Sequence, residues 1–345
     1  MVRVRNKTYR GTTAVLFVLF LITALISMRW GAVNISTPEI LSAFRKWTAS
    51  SNDMTLNESI FWDIRLPRAI LCLVVGGALA VGGVLMQALF RNPIVEPGLI
   101  GTSSGAAFGA AVYFVLGGML KFNTGEWTLP LAAFLGGVLS TSMAFGFSRS
   151  RTTGKSSVVA LLLTGIAVNA LFLSGVGFMT YTARDPQARS ITYWSMGTLS
   201  GSNWHGVIII GATTLLCILI ALRYGKHLNA LMLGEDEARF LGVNIKRLKL
   251  SVLFINVAMI AIATAFVGII SFVGLVVPHL LRILNGSDNR SLIRNSALLG
   301  GILLSLADLL ARLVMPPSEL PIGILTATVG VPVFLILLKR KNYLF

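Results

Sequence analysis

Apolar stretches long enough to cross a lipid bilayer recur along this chain from end to end, and that recurrence limits the fold more than any motif. A spanning helix needs about 20 apolar residues, because the hydrocarbon core is about 30 Å thick and each helical residue rises about 1.5 Å. Ten windows approach or meet this length: Thr12 to Met28, Leu66 to Leu89, Leu99 to Met119, Leu129 to Ser148, Ser157 to Tyr181, Trp204 to Leu222, Leu250 to Ile269, Phe272 to Leu284, Asn295 to Val314 and Pro321 to Leu338. The eighth is too short to cross comfortably alone. Of the 345 residues, 55% are hydrophobic and 12% charged, against about 25% charged in a soluble chain. These features predict an all-α polytopic membrane protein with about ten transmembrane helices in a single domain, residues 1–345.

The formal net charge of +16 invites a nucleic-acid function, since basic patches attract phosphate. The distribution excludes it, because Lys and Arg sit in short clusters between apolar windows, as in the cytoplasmic loops of membrane proteins. With the N-terminus inside, the inner segments hold twenty and the outer ones nine of the 29 basic residues. This bias predicts that both termini are cytoplasmic. The basic start followed by an apolar run resembles a signal peptide, but Arg29 and Trp30 follow where small residues would mark cleavage. A retained first helix is expected.

The longest inner segment carries Gly234-Glu235-Asp236-Glu237-Ala238-Arg239-Phe240-Leu241-Gly242. It reads as a short surface helix, with acids in the first turn where the helix dipole favours them and a glycine at its stop. The outer segment Thr182 to Gly201 is long enough for a helix along the membrane. Gly101, Gly105 and Gly109 form a smooth stripe on the third span, as do Gly136, Ser140 and Ala144 on the fourth. Such stripes let helices pack closely in lipid; a path or dimer role is the alternative. Gly83 to Pro93 and Gly268 to Pro278 share a faint pattern, as an internal duplication would leave.

No catalytic set emerges. Gly154-Lys155-Ser156 resembles the end of a phosphate-binding loop, but Arg149 stands where its leading glycine belongs and no strand flanks it. His205, His227 and His279 lack the spacing of metal ligands. Cys72 and Cys217 fall inside apolar windows and read as small buried residues. Asp308 and Arg312 lie four apart on the ninth span, where they can pair on one face. Arg65 and Arg68 bracket Pro67 at the outer mouth of the second span. Either they anchor in lipid headgroups or they dock an acidic partner outside.

Several motifs together resemble the permease family of bacterial ABC importers for iron-siderophores, haem and cobalamin. They are Arg65-Leu66-Pro67-Arg68, Gly76 to Ala80, Met86-Gln87, Asn92-Pro93 through Glu96-Pro97, and Ser104-Gly105-Ala106. Leu233-Gly234-Glu235 with Leu241-Gly242-Val243, Phe272 to His279 with Arg282, Ala307-Asp308 with Arg312, Glu319 to Gly323, and Gly330 with Pro332 and Phe334 continue the match. It covers residues 62–340, leaving a first helix and outer loop, 1–60, without family motifs. The resemblance implies a type II ABC importer permease fold in the bacterial inner membrane and a homodimer with its pathway on the two-fold axis. It implies two cytoplasmic ATPases, which carry the Mg-ATP, and an extracytoplasmic substrate-binding protein. This chain itself is expected to bind no cofactor, metal or nucleic acid and to be no enzyme. By resemblance, Arg65, Arg68 and Arg312 dock the binding protein. Leu233, Gly234, Glu235, Ala238, Phe240, Leu241 and Gly242, within a coupling segment at 228–246, enter a groove of the ATPase. Asn92 and Ile94 narrow the cytoplasmic exit. Phe90-Arg91-Asn92-Pro93 and Pro97 to Gly101 look most like the haem branch, with siderophores and cobalamin as alternatives. A self-sufficient secondary carrier would need more buried acids than Asp308, and an intramembrane enzyme would need a nucleophile and base.

Overall fold

The computed structural model describes residues 2–31, 33–49, 53–117, 125–148, 158–316 and 318–339. In chain order the helices are α1 (Val2–Arg29), α2 (Thr37–Thr48), α3 (Leu56–Ser59), α4 (Leu66–Phe90), α5 (Thr102–Leu116), α6 (Thr128–Phe147), α7 (Val158–Thr182), α8 (Asp185–Ser195), α9 (Trp204–Leu233), α10 (Glu235–Phe240), α11 (Ile245–Val267), α12 (Val273–Asn285), α13 (Asn289–Leu313) and α14 (Ile322–Lys339). Seven are long and apolar enough to cross a membrane, and α5, α12 and most of α14 are shorter apolar helices. These correspond one to one with the ten windows. Gly154-Lys155-Ser156 and Arg149 lie outside the described residues.

The boundaries move where local chemistry outweighs hydropathy. The sixth window closes at the basic residue Arg223, yet α9 runs on to Leu233. Polar residues do not stop a helix; Gly234 does, at φ +147°. Nor do the first 60 residues merely lead in. Ser36 accepts from the amide of Glu39 while Glu39 reaches back, and this capping box starts α2.

Pro67 explains a second departure. It lacks an N–H, so a regular helix could not pass through it without an orphaned carbonyl. The chain from Ile60 to Arg65 widens into a π turn, with the Leu66 amide bonded to the Phe61 carbonyl. The Trp62 carbonyl is taken by the Trp204 indole Nε1 at 3.1 Å. The second span therefore begins at Leu56, ten residues earlier than its apolar window.

α4 is the axis of the bundle, buried over nearly its whole length and packed by α1, α9, α11, α12 and α13. Lipid tails are as apolar as leucine, so close backbone approach must hold these helices together. Glycine pairs provide it. A Cβ on Gly76 would lie 2.2 Å from the Gly300 carbonyl oxygen on α13, and one on Gly83 would lie 1.7 Å from that of Gly274 on α12. The predicted stripes of α5 and α6 face each other in the same way: a Cβ on Gly105 would come within 2.3 Å of the Gly136 oxygen. Within the chain they serve packing. The two segments with the shared pattern also meet, at Gly83 and Gly274.

Candidate functional site

Helix directions sort the candidate residues to two ends of the bundle. α4 begins where α1 and α13 finish, so Arg65, Arg68 and Arg312 gather at one end with Trp30. α13 begins at the other end, where Asn229 near the close of α9 donates to Asp288 at 2.8 Å. There the chain turns into α10, and there α4 also stops. The docking candidates thus stand at one end, and the coupling and exit candidates stand together at the opposite one.

At the first end the three arginines do not project outward. Arg65, Arg68 and Arg312 are all buried, at 6%, 7% and 4% exposure. Arg68 donates through Nε at 2.9 Å and NH2 at 2.8 Å to one oxygen of Asp308, and through NH1 at 2.9 Å to Glu319. Arg312 Nε lies 3.0 Å from the second Asp308 oxygen. Its other nitrogens reach the Trp30 carbonyl at 3.2 Å and Ser27 Oγ at 3.1 Å. Arg65 is held by the carbonyls of Trp30 and Val33, both at 2.9 Å. The expected Asp308–Arg312 pair is one edge of this network. A buried guanidinium needs such partners, since desolvation of an unpaired charge costs several kcal/mol. Apart from the Asp308–Arg312 pair, every partner here is long-range, so sequence spacing does not reveal them.

At the opposite end α10 stands out from the bundle on glycines at both sides, Gly234 at φ +147° and Gly242 at φ +80°. Ala238 is its one buried residue, while Phe240 is 92% exposed. Leu233 and Leu241 are also largely exposed. Glu235 anchors the helix through Lys249 Nζ at 2.8 Å, and the Val243 amide closes it on the Ala238 carbonyl. The result is a small rigid knob with an apolar tip.

Beside it the chain leaves α4 through Arg91 at φ +49° and folds back. Asn92 Oδ1 accepts from the Ile94 amide at 3.0 Å, and Ile94 is exposed. The following residues are anchored inside the bundle. Asn256, buried on α11, donates to the Pro97 carbonyl at 3.1 Å. The Glu96 carboxylate accepts from the amide of Phe272, which itself sits at φ +68° ahead of α12. Glu96, Asn256 and Phe272 were not among the expected site residues. The signal was present, since an acid between apolar windows asks for a partner.

Ring contacts place His205 against Trp127 and His227 against Tyr224, while His279 is buried on α12. Cys72 and Cys217 are buried free thiols.

Known proteins are similar to this chain over nearly its whole length. The chain is 40% identical over 327 residues to the hemin transport system permease protein HmuU of Yersinia pestis, with 95% of each chain covered. It is 38% identical over 340 residues to the vitamin B12 import system permease protein BtuC of the same organism, covering 98% of this chain and 95% of that one. A solved structure described as an inward-facing conformation of a metal-chelate type ABC transporter superposes with a TM-score of 0.83 at 33% identity, covering 97% of this chain and 99% of the other. The model of the FecCD transport family matches residues 19–340, and the chain belongs to that family.

Proposed function

We infer that this chain is the membrane-spanning permease subunit of an ATP-driven, binding-protein-dependent importer of haem or a related large iron chelate. The observation that carries it is the division of labour between the two ends: a cationic cluster at one and an exposed apolar knob at the other. The basic-loop bias turns the knob to the cytoplasm, together with both termini, in the bacterial inner membrane. The cluster of Arg65, Arg68 and Arg312 then lies at the outer end, just beneath the face that docks the acidic surface of a binding protein. Leu233 to Gly242 fits a groove in each of two cytoplasmic ATPases, which hold the Mg-ATP, and Asn92 and Ile94 line the cytoplasmic exit. Two copies of the chain enclose the pathway on their shared axis.

Haem is favoured by the likeness to the hemin permease. The nearly equal likeness to the vitamin B12 permease supports cobalamin as an alternative cargo, and ferric siderophores are the other. A bulky chelate needs a wide, weakly binding path, with its tight site on the delivery protein.

Reconstitution in proteoliposomes with the ATPase and binding protein tests this. ATP-dependent uptake of hemin above that of cobalamin or a ferric siderophore is expected. Uptake without any ATPase, driven by a proton gradient, would reject the importer mechanism. Preference for another chelate would reassign the cargo.

A further inference from the structure

We propose that Glu319 is an internal stand-in for the carboxylate of the docking partner, holding the solvent-side nitrogen of Arg68 until that partner displaces it. The exchange rests on the docking role inferred above for Arg68.

A guanidinium has five N–H donors in a fixed fork, and its two acidic partners here differ in kind. Asp308 sits on α13 with its side chain 1% exposed and takes Nε and NH2. It is sealed in and serves as the permanent counter-ion. Glu319 lies in the connection from α13 to α14, takes NH1, and has its side chain 32% exposed. Among the described residues it is the only acid that links this cluster to the surrounding solvent. An arriving carboxylate competes with Glu319 for NH1, the nitrogen that Asp308 does not hold. The swap conserves charge and hydrogen bonding, so it avoids stranding a buried cation.

Neither of the other two arginines is paired with a solvent-exposed acid. Arg65 spends both terminal nitrogens on the carbonyls of Trp30 and Val33, and Arg312 is closed by Trp30, Ser27 and Asp308. These partners are neutral backbone or sealed side chains at the end of α1 and on α13. The cluster sets three arginines against two acids, so a further anion is electrostatically welcome.

Glu319 also stands three residues before α14. The neighbouring backbone is tied elsewhere: Leu320 N donates to the Ala311 carbonyl at 3.2 Å, Ile322 N to that of Gly197 at 3.1 Å and Gly323 N to that of Met196 at 3.0 Å. Release of Glu319 therefore removes the side-chain link between α4 and the start of α14 while the backbone ties persist. Docking is thereby registered at α14 without unfolding its entry.

The test is the affinity of the importer's own binding protein for the permease–ATPase complex in lipid nanodiscs. Glu319→Gln removes the competing charge, and binding is expected to tighten about tenfold, the equivalent of one charge-assisted hydrogen bond regained. Glu319→Asp, which withdraws the carboxylate by one methylene, is expected to tighten binding to a smaller extent and keeps the test open if the first variant melts early. Unchanged or weaker binding by the folded variants overturns the exchange. In that case, loss of binding in Arg68→Gln leaves the docking role standing, whereas normal binding by Arg68→Gln removes the docking role itself.

Discussion

Arg68 and Asp308 join α4 to α13 across 240 residues of sequence, with two nitrogens of the one converging on a single oxygen of the other at 2.9 and 2.8 Å. Arg312 closes on the second oxygen, so one carboxylate neutralises two buried cations. Asp308→Ala is expected to lower stability by about 3–5 kcal/mol, the usual cost of leaving buried charge unpaired. Asp308→Asn keeps the shape and loses less. Thermal unfolding in detergent measures both, and a shift in Asp308→Ala no larger than that of a surface substitution contradicts the network's importance.

The tip of α10 is exposed, so its side chains contribute little to the fold of this chain. Phe240→Ala with Leu241→Ala is expected to leave the melting temperature within the range of surface changes, about 0.5 kcal/mol. ATP-driven uptake should fall at least about tenfold, as when an interface anchor is truncated. Wild-type uptake in the double variant would remove α10 from the motor contact.

Gly83 packs its α-carbon on the Gly274 backbone, whereas nothing lies within 4 Å of a Cβ placed on Gly211 of α9. Gly83→Ala must push α4 and α12 apart, at about 1–3 kcal/mol. Gly211→Ala should be neutral or stabilising by up to about 1 kcal/mol, since alanine is the better helix former. Equal melting temperatures for the two variants would show that the approach of α4 and α12 is not tight.

Burial raises the Asp288 pKa, but hydrogen bonds from Asn229 and Arg290 outweigh it and hold the group below its ordinary 3.8. A carboxylate depressed by folding stabilises the fold fully above its unfolded value and loses that contribution as pH falls through its folded value. Asp288→Asn is therefore expected to melt earlier than wild type at neutral pH, with the gap closing below the ordinary carboxylate range. A gap that is constant from neutral to acid pH would assign the effect to shape instead of charge.

Glu96 satisfies the Phe272 amide ahead of α12. Glu96→Gln retains an acceptor, while Glu96→Ala orphans a half-buried N–H, at about 1 kcal/mol or somewhat more. Hydrogen exchange at residues 91–101 should accelerate in Glu96→Ala and stay near wild type in Glu96→Gln. Identical exchange in both variants would show that the carboxylate does not hold this loop.

Hydropathy, charge bias and small-residue stripes carried the ten helices, because each is a local or periodic signal. Gly105 and Gly136 were legible as packing surfaces for the same reason. The inward turn of the arginines was not legible, since Glu319 meets Arg68 across 251 residues. The start of α2 was readable in principle, as Ser36 and Glu39 stand at capping-box spacing. The π turn before Pro67 was not, because the residue that makes it tolerable, Trp204, lies on another helix.

α12 has 13 residues and α5 has 15, giving lengths of about 20 and 22 Å against a hydrocarbon layer of about 30 Å. Neither can rest in lipid alone, because the backbone leading into each takes partners from elsewhere in the chain: Glu96 accepts from the Phe272 amide ahead of α12, and Asn256 bonds the Pro97 carbonyl ahead of α5. Biogenesis of this chain therefore cannot proceed as independent insertion of ten finished helices followed by docking. The short helices must be admitted into slots framed by their neighbours, α6 and α7 for α5 and α4 and α13 for α12, and a ribosome paused before Asn289 would leave α12 with half of its cradle unmade.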